Sequence, residues 1–158
     1  MERDPFVSYG HTVPPEWIDS YDHMNMARYV ELFDRATDDV LGEVGFGPKY
    51  TQRTRHGLFT VDVRIRYLEE LRVGTTVAVR LRLVGCDHVR VHMWLEMFDE
   101  GSERLYATQE QMSLHASLEQ RKTVHFSAAQ RARLEEVVAL HRSEPQHASR
   151  RLCMSCKG

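Results

Sequence analysis

Three stretches in which apolar residues alternate with mostly polar ones constrain the fold more than any other feature. In residues 59–67 every odd position is apolar and every even one polar, and a period of two recurs in residues 77–83 and 89–97. A fourth, less regular stretch covers residues 106–115. Since successive side chains of a strand point to opposite faces of its sheet, the pattern predicts strands with one buried face. The turns between them are too short for the crossovers that parallel neighbours need, which predicts an antiparallel sheet.

One long helix precedes these strands. From residue 26 to residue 44 the apolar positions follow the three-then-four spacing of one helical face, and charged residues occupy the opposite face. Asp22 or Asn25 can cap its start, because a short side-chain acceptor binds backbone N–H groups that lack a partner in the first turn. Three glycines and a proline after residue 41 end the helix. The predicted apolar face consists of Tyr29, Val30, Phe33, Ala36, Thr37, Val40, Leu41 and Val44.

The remaining segments complete an α+β architecture. Residues 9–13 predict a short strand that ends at two prolines, and residues 48–57 predict a polar connection. Ser127 and Gln130 form a capping box at the start of a terminal helix. We predict an antiparallel β-sheet of about five strands wrapped around one long central helix, with the second sheet face solvated or paired with a subunit. The apolar face predicted for the terminal helix is Leu134, Val137, Val138 and His141.

Length and composition indicate one domain followed by a tail. A chain of 158 residues, 42% of them hydrophobic, can bury a core without disulfides or metals. We assign residues 1–142 to this domain. Residues 143–158 are rich in Ser, Pro, Gln, His and Arg, and we expect them to be disordered. Cys153 and Cys156 form an isolated CxxC pair there, which is half of a zinc site at most, so no metal site is predicted.

Charge and hydropathy exclude several functional classes. The formal net charge is -2 and the arginines are interleaved with acidic residues, whereas a nucleic-acid-binding domain concentrates basic residues on one face. The sequence contains no apolar run long enough to cross a membrane, and its first residues lack the basic start and apolar run of a signal peptide. We therefore expect a soluble, cytoplasmic protein without nucleic-acid or membrane partners.

A group of polar residues stands just before the long helix. Asp19 lies four residues before His23, which is followed by a hydrophobic residue and by Asn25. This group, together with the order of helix and strands, resembles the 4-hydroxybenzoyl-CoA thioesterase class of hotdog-fold acyl-CoA thioesterases. Asp22 departs from the pattern, because that class usually has glycine there, and it adds a second carboxylate beside the site. The resemblance implies a hotdog fold and thioesterase activity.

Further motifs extend the resemblance over about residues 9–140, nearly everything but the tail. They look like the branch associated with betainyl-CoA, the thioester formed in carnitine breakdown. The implied reaction is hydrolysis of a small acyl-CoA, with betainyl-CoA as the specific candidate, to the free acid and coenzyme A. The implied assembly is a homodimer or a dimer of dimers, and no cofactor is implied beyond the coenzyme A of the substrate. The motifs are Phe59-Thr-Val-Asp, Tyr67-Leu-Glu-Glu, Gly74, Asp87-His-Val-Arg-Val-His and Ala107-Thr-Gln-Glu-Gln-Met-Ser-Leu-His.

A carboxylate beside a helix start suits this reaction. A thiol has a pKa of about 8.5, so coenzyme A can leave as a thiolate without a strong acid, and the site needs only an activated nucleophile and a donor for the oxyanion. Asp19 can take a proton from water or attack the carbonyl itself, and the residues leave both routes open. By the resemblance, the amide near Met26 donates to the oxyanion, while His23 and Asn25 orient the carbonyl or the water. Asp22 and Asn25 could instead be helix caps only, and His23 a surface histidine.

The resemblance also implies a substrate-binding set of four residues: Met26, Tyr29, Thr60 and Glu110. Glu110 could face the helix start of a partner subunit, because dimers of this fold often build their sites across the interface. It could equally be a solvated residue of the last long strand.

A second hypothesis is a non-catalytic acyl-CoA-binding protein of the same fold, acting as a sensor or partner subunit. It predicts saturable ligand binding without release of thiol. Asp19 favours the enzyme, and a sensor would usually carry an added DNA-binding or partner module. A hotdog dehydratase would place a His-Phe-Pro-Gly group before the central helix, whereas His125 and Phe126 lie far after it.

Overall fold

A computed structural model describes residues 3–142, which form one antiparallel sheet and three α-helices. The elements are β1 (Val7–Thr12), a short 3-10 turn (Pro15–Trp17), α1 (Met26–Val44), α2 (Pro48–Thr54), β2 (His56–Tyr67), β3 (Thr76–Cys86), β4 (Arg90–Asp99), β5 (Leu105–Ser117), β6 (Lys122–Thr123) and α3 (Ala128–Arg142). The strand order is β1-β3-β4-β5-β2, and β6 pairs with β5. This curled sheet around α1 confirms the predicted α+β hotdog architecture. The predicted tail at residues 143–158 lies outside the described residues.

The core lies between α1 and the inner face of the sheet. The odd-numbered residues from Val77 to Leu83 and from Val91 to Met97 form this face, as the alternation predicts, and all eight are buried in the core. The inner-face residues are Val77, Val79, Leu81, Leu83, Val91, Met93, Leu95 and Met97.

Within the described residues no helix combines the length and apolar character needed to cross a membrane.

Capping defines both ends of α1. The Asn25 side chain accepts a hydrogen bond from the Ala27 amide at 2.9 Å, so Asn25 rather than Asp22 is the cap. At the other end Gly45 adopts a φ of +96°, a left-handed conformation that glycine takes without a Cβ penalty. The buried face matches the predicted one except that Leu32 is buried while Val30 is exposed, because position 30 lies at the margin of the stripe.

The polar connection predicted for residues 48–57 is wrong over most of its length, because α2 forms there. Pro48 occupies the first turn, where a missing amide proton costs no helical hydrogen bond. Tyr50 is the buried residue of this short helix, and a single buried position creates no repeating apolar pattern from which a helix could be predicted. Gly47 permits a close approach to α1, since a Cβ at this position would lie 2.7 Å from the Cα of Gly42.

Strand β2 departs from the single alternation predicted for it. Its register against β5 shifts between Thr60 and Asp62, which makes Val61 an extra residue at a bulge. A bulge changes which side chains share a face, since strand side chains otherwise alternate strictly. Phe59 therefore lies on the outer face, whereas Tyr67 faces α1.

The outer face of the sheet carries the predicted polar side chains but also an apolar cluster of Val7, Ala78 and Phe98, and its centre is buried. The Glu96 carboxylate is 2% exposed and lies 3.5 Å from Arg80 and 3.4 Å from Arg82. The indole N–H of Trp94 donates to the same carboxylate at 3.1 Å. A charge at this depth is tolerated only when it is paired and hydrogen-bonded, so these side chains stabilise one another.

Helix α3 is capped as predicted. The Gln130 amide donates to the Ser127 hydroxyl at 3.2 Å, and the Ser127 amide donates to the Gln130 side chain at 2.9 Å. The predicted apolar face of α3 is buried in full. Reciprocal capping of this kind satisfies two amides that the first turn leaves unpaired.

A buried histidine links α2, α3 and the sheet. His115 Nδ1 lies 2.8 Å from the Val124 carbonyl oxygen, which can only accept, so Nδ1 carries the proton. Nε2 therefore accepts from the Tyr50 hydroxyl at 2.7 Å, and that hydroxyl accepts from the Gln130 side chain at 3.0 Å. Burial lowers the pKa of His115, which keeps the ring neutral in this network.

Candidate active site

Asp19 lies in a tight loop directly before α1. Its amide donates to the His23 carbonyl and its carbonyl accepts from the Asp22 amide, both at 3.1 Å. Ile18 and Met24 close the loop through an antiparallel bridge. These backbone contacts position the Asp19 side chain beside the helix start.

Asp22 adopts the backbone conformation that a glycine would favour. Its φ is +63°, in the left-handed region that most residues with a Cβ avoid and that Asp and Asn tolerate best. The departure from the usual glycine is therefore compatible with a left-handed turn at this position. The Asp22 residue is exposed, so its carboxylate adds negative charge at the rim of the site.

Asn25 connects the cap of α1 to the carboxylate of Asp19. Its side-chain oxygen accepts from the Ala27 amide, and its NH2 group donates to Asp19 Oδ2 at 3.3 Å. The other Asp19 oxygen accepts from the Tyr21 amide at 2.9 Å. Since an oxygen must face the Ala27 donor, the orientation of the Asn25 amide follows from chemistry, and its NH2 group is directed at Asp19.

The first turn of α1 leaves one amide available. The Ala27 amide bonds to the Asn25 side chain and the Arg28 amide to the Asn25 carbonyl at 2.9 Å. Within the part of the chain that the structure describes, the Met26 amide donates no hydrogen bond. An unpaired N–H at a helix start lies at the positive end of the helix dipole, so it can bind a developing oxyanion.

His23 is half-buried in the same loop. Its Nδ1 lies 3.3 Å from the Met24 carbonyl oxygen, and its ring stacks on Tyr21 with the centroids 6.2 Å apart. A carbonyl oxygen only accepts, so a neutral ring presents Nε2 as an acceptor. Such a nitrogen can orient a water molecule or a substrate group at the helix start.

A cavity of about 230 Å³ opens at the helix start, where His23 and Met26 line it, while Asp19 and Asn25 are not among its lining residues. Tyr67 closes one side of it, and its hydroxyl donates to the Met26 carbonyl at 3.3 Å. The Tyr29 hydroxyl accepts from the Leu71 amide at 3.1 Å and donates to the Glu69 carbonyl at 3.3 Å. The walls include His23, Met26, Tyr29, Tyr67, Glu69 and Glu70.

The remaining predicted residues lie elsewhere in this protomer. Thr60 accepts from the Gln111 side chain at 2.9 Å and lines a separate cavity of about 330 Å³ near Asp34. Glu110 lies on the outer sheet face, is 1% exposed and bonds to His92 at 2.7 Å. One protomer therefore joins Asp19, His23 and Asn25 in one loop and lines one cavity with His23, Met26 and Tyr29. Neither group includes Thr60 or Glu110.

Sequence reasoning did not assign the far wall of the helix-start cavity to the site. Tyr67 was only an apolar position of a strand in that reasoning, and Glu69 and Glu70 were only turn residues. The Tyr67-Leu-Glu-Glu motif of the resemblance was the available signal, but its position opposite the helix start depends on how β2 crosses α1.

No metal site emerges from the described residues, since none of their groups of three or more His, Cys, Asp or Glu side chains is arranged to hold an ion. The CxxC pair at Cys153 and Cys156 lies outside that part of the chain.

Comparison with known proteins shows the family of this chain. Residues 13–134 match the family model described as the thioesterase-like superfamily. The chain is 33% identical over 139 residues to a Pseudomonas aeruginosa betainyl-CoA thioesterase, covering 88% of this chain and 87% of that protein. It is 32% identical over 125 residues to a Rhizobium meliloti L-carnitine dehydrogenase/betainyl-CoA thioesterase, covering 79% of this chain but only 25% of that longer protein.

A solved structure supports the fold independently. A Staphylococcus aureus protein in complex with CoA superposes with a TM-score of 0.78 at 24% identity, covering 92% of this chain and 89% of that one. The family match spans most of the chain and the relatives are named as thioesterases. The chain therefore belongs to the thioesterase-like superfamily and is a thioester hydrolase of the hotdog fold.

Proposed function

We propose that this protein hydrolyses a small acyl-CoA thioester to the free acid and coenzyme A, and that betainyl-CoA is its substrate. One observation carries the proposal: the Asp19 carboxylate, oriented by Asn25, stands beside a helix start whose Met26 amide donates no hydrogen bond among the described residues. The names of the two relatives support betainyl-CoA, and with it a role in carnitine metabolism. Coenzyme A enters as part of the substrate, and the proposed reaction uses no metal or separate cofactor.

The proposed chemistry divides between the carboxylate and the helix start. Asp19 takes a proton from water as the water oxygen bonds to the thioester carbonyl carbon, or Asp19 itself forms that bond and water later hydrolyses the resulting anhydride. In both routes the Met26 amide donates to the oxyanion. Collapse of the tetrahedral intermediate breaks the carbon–sulfur bond and expels coenzyme A as a thiolate. His23 orients the water or carbonyl, while Asn25 acts on Asp19 and is a positioning residue.

We also propose a homodimer or a dimer of dimers in the cytoplasm. Strand β2 ends the sheet order and is 12 residues long, so it presents a long edge of backbone donors and acceptors. Apolar side chains along this edge are exposed in one protomer, including Val61 at 55% and Val63 at 44%. A second copy related by a twofold axis can pair with this edge in antiparallel fashion, which would cover both features. In such an assembly Thr60 stays a candidate for a substrate contact across subunits.

Removal of the Asp19 charge tests the activity. The Asp19→Asn variant should release free thiol from betainyl-CoA about 10²- to 10⁴-fold more slowly, because the general base or nucleophile is lost. The matched control is Asp22→Asn, which removes a neighbouring exposed carboxylate and keeps a residue that tolerates the left-handed turn. Thermal unfolding of both variants verifies that they fold.

Three outcomes would contradict this proposal. Full turnover by Asp19→Asn would remove Asp19 from the mechanism. Equal losses in the two variants would indicate a general effect of charge rather than a role of Asp19. Saturable binding of acyl-CoA without thiol release by the unmodified protein would instead support the non-catalytic acyl-CoA-binding protein.

A further inference from the structure

The cavity beside the helix start combines aromatic, thioether and acidic groups. The Tyr29 and Tyr67 rings meet edge to face, with centroids 5.1 Å apart and planes at 88°. Tyr67 is 45% exposed, so a ligand can reach its ring, whereas Tyr29 is buried. Met26 and Glu70 also line the cavity. A pocket that binds a neutral acyl chain would be lined by apolar side chains and would not require acidic residues.

We infer that this cavity binds the acyl group and selects one that carries a quaternary ammonium, with the Tyr67 ring as the specificity-determining group. The inference rests on the proposed function. In that mechanism Asp19 acts at the thioester carbonyl, and the inference concerns where the rest of the acyl group binds. At about 230 Å³ the cavity is smaller than the roughly 300–1,000 Å³ pockets that hold drug-sized ligands, which limits it to a small acyl group.

The position of Tyr67 matches the covalent structure of such a substrate. In a betainyl thioester the ammonium nitrogen is only two bonds from the carbonyl carbon, so the group that recognises the cation must lie next to the oxyanion donor. Tyr67 is a neighbour of Met26, whose amide faces the oxyanion in the proposed mechanism: both residues line the cavity, and the Tyr67 hydroxyl donates to the Met26 carbonyl. The π-electrons of an aromatic ring attract a quaternary ammonium within about 6 Å of the ring centroid.

The acidic side chains add a weaker attraction. Glu69 forms an ion pair with Arg104, and Glu70 lies 3.7 Å from Arg72 with 60% of its side chain exposed. Solvent and these arginines screen both carboxylates, so the aromatic rings supply most of the selectivity. Burial is the main cause of the raised pKa of Tyr29, and the negative charge of Glu70 adds a smaller increase.

The helix dipole opposes a cation at this position, but it acts on a different part of the substrate. The positive end of α1 is directed at the oxyanion through the Met26 amide, whereas the ammonium would lie towards the tyrosine rings. Charges near a helix end typically gain or lose a few-fold in affinity, and a desolvated cation on an aromatic face gains up to about 30-fold. The ring contribution therefore exceeds the repulsion from the dipole.

A matched pair of thioesters tests the inference. Betainyl-CoA and 3,3-dimethylbutanoyl-CoA have the same shape, but the second replaces the ammonium nitrogen by carbon. The readout is the ratio of their kcat/KM values, measured by release of free thiol. We expect the unmodified protein to favour betainyl-CoA, Tyr67→Leu to lower the ratio about 5- to 30-fold, and Tyr67→Phe to retain most of it because the ring remains.

Charge variants separate the aromatic contribution from the acidic one. Glu70→Gln should lower the ratio by about 2-fold at low salt, since its carboxylate is exposed and paired. Glu119→Gln makes the same change of charge in an exposed turn outside the cavity wall and should leave the ratio unchanged. A larger effect of Glu70→Gln than of Tyr67→Leu would overturn the assignment to the ring.

The remaining outcomes distinguish this inference from the proposed function. Equal turnover of the two thioesters by the unmodified protein, or equal losses for both in Tyr67→Leu, would overturn the ammonium site and leave thioester hydrolysis standing. No turnover of either thioester would overturn the proposed function, and the inference with it.

Discussion

Asn25 uses both ends of its side-chain amide. The oxygen caps α1 through the Ala27 amide, and the NH2 group bonds to the Asp19 carboxylate. One side chain thus couples the stability of the central helix to the orientation of the proposed catalytic group. These two contributions are separable, because a cap requires only an acceptor whereas the bond to Asp19 requires a donor.

Two substitutions at Asn25 separate stability from activity. Asn25→Ser retains a cap of similar quality and removes the NH2 donor, so the free energy of unfolding should change by less than about 0.5 kcal/mol while thiol release falls. Asn25→Ala removes both groups, so it should also lower the free energy of unfolding by about 0.5–2 kcal/mol. Denaturant unfolding and the thiol-release assay measure the two quantities. Activity of Asn25→Ser equal to that of the unmodified protein would show that the amide does not position Asp19.

At the scale of elements, the close approach of α2 to the end of α1 depends on Gly47, which packs against the backbone of Gly42. A Cβ at Gly47 would lie 2.7 Å from the Gly42 Cα and 2.9 Å from its nitrogen, and neither backbone atom can move aside without distorting the helix. A Cβ at Gly42 would meet no atom within 4 Å. The same chemical change therefore has opposite predicted consequences at two positions in contact.

Alanine at these positions provides the test. Gly47→Ala should lower the free energy of unfolding by about 1–3 kcal/mol through overpacking. Gly42→Ala should raise it by up to about 1 kcal/mol, because alanine loses less conformational entropy than glycine inside a helix. Denaturant unfolding of the two variants gives both numbers. Destabilisation by Gly42→Ala as large as that by Gly47→Ala would contradict the packing described here.

At the scale of the whole molecule, the free edge of the sheet is the feature that a single protomer leaves uncovered. An edge strand as long as β2, with exposed apolar side chains, invites pairing with another chain, and proteins that stay monomeric usually protect such edges with charges or prolines. Residues 56–67 contain no proline or lysine, and although Asp62, Arg64 and Arg66 carry charges, the valines beside them stay exposed. The edge therefore supports the proposed dimer.

A charge on this edge should dissociate the dimer. Val63→Lys places an ammonium on an apolar position of β2, and sedimentation should show a shift from dimer towards monomer. The control is Val73→Lys, which alters a comparably exposed valine, 56% exposed, in the turn after β2, and should leave the sedimentation coefficient unchanged. A dimer that persists in Val63→Lys would place the subunit interface elsewhere.

Predictability from the sequence differed with the kind of signal. The buried faces of β3, β4 and α3 carried clear apolar periods and were predicted correctly. Helix α2 buries only Tyr50, so its sequence contains no repeating apolar pattern. The bulge at Val61 is not visible in the apolar alternation of β2, but it changes which of its side chains share a face. An apolar pattern predicts which side chains of one element are buried, but it does not predict a local change of strand register.

The candidate site shows the same division. Asp19, His23, Asn25 and Met26 are close in sequence, so one loop and one helical turn bring them together, and a short motif sufficed to predict the group. Tyr67 comes from a strand some forty residues later, and its position over Met26 follows from the path of β2 across α1.

The sequence by itself determined the long capped helix, the antiparallel strands and the polar loop that starts the helix, because each depends on neighbours within a few positions. The tertiary structure alone decided which side chains from distant strands close the cavity and which charged residues are buried on the outer face. Those outcomes depend on strand register and on packing between elements, where a shift of one residue moves a side chain to the opposite face of the sheet.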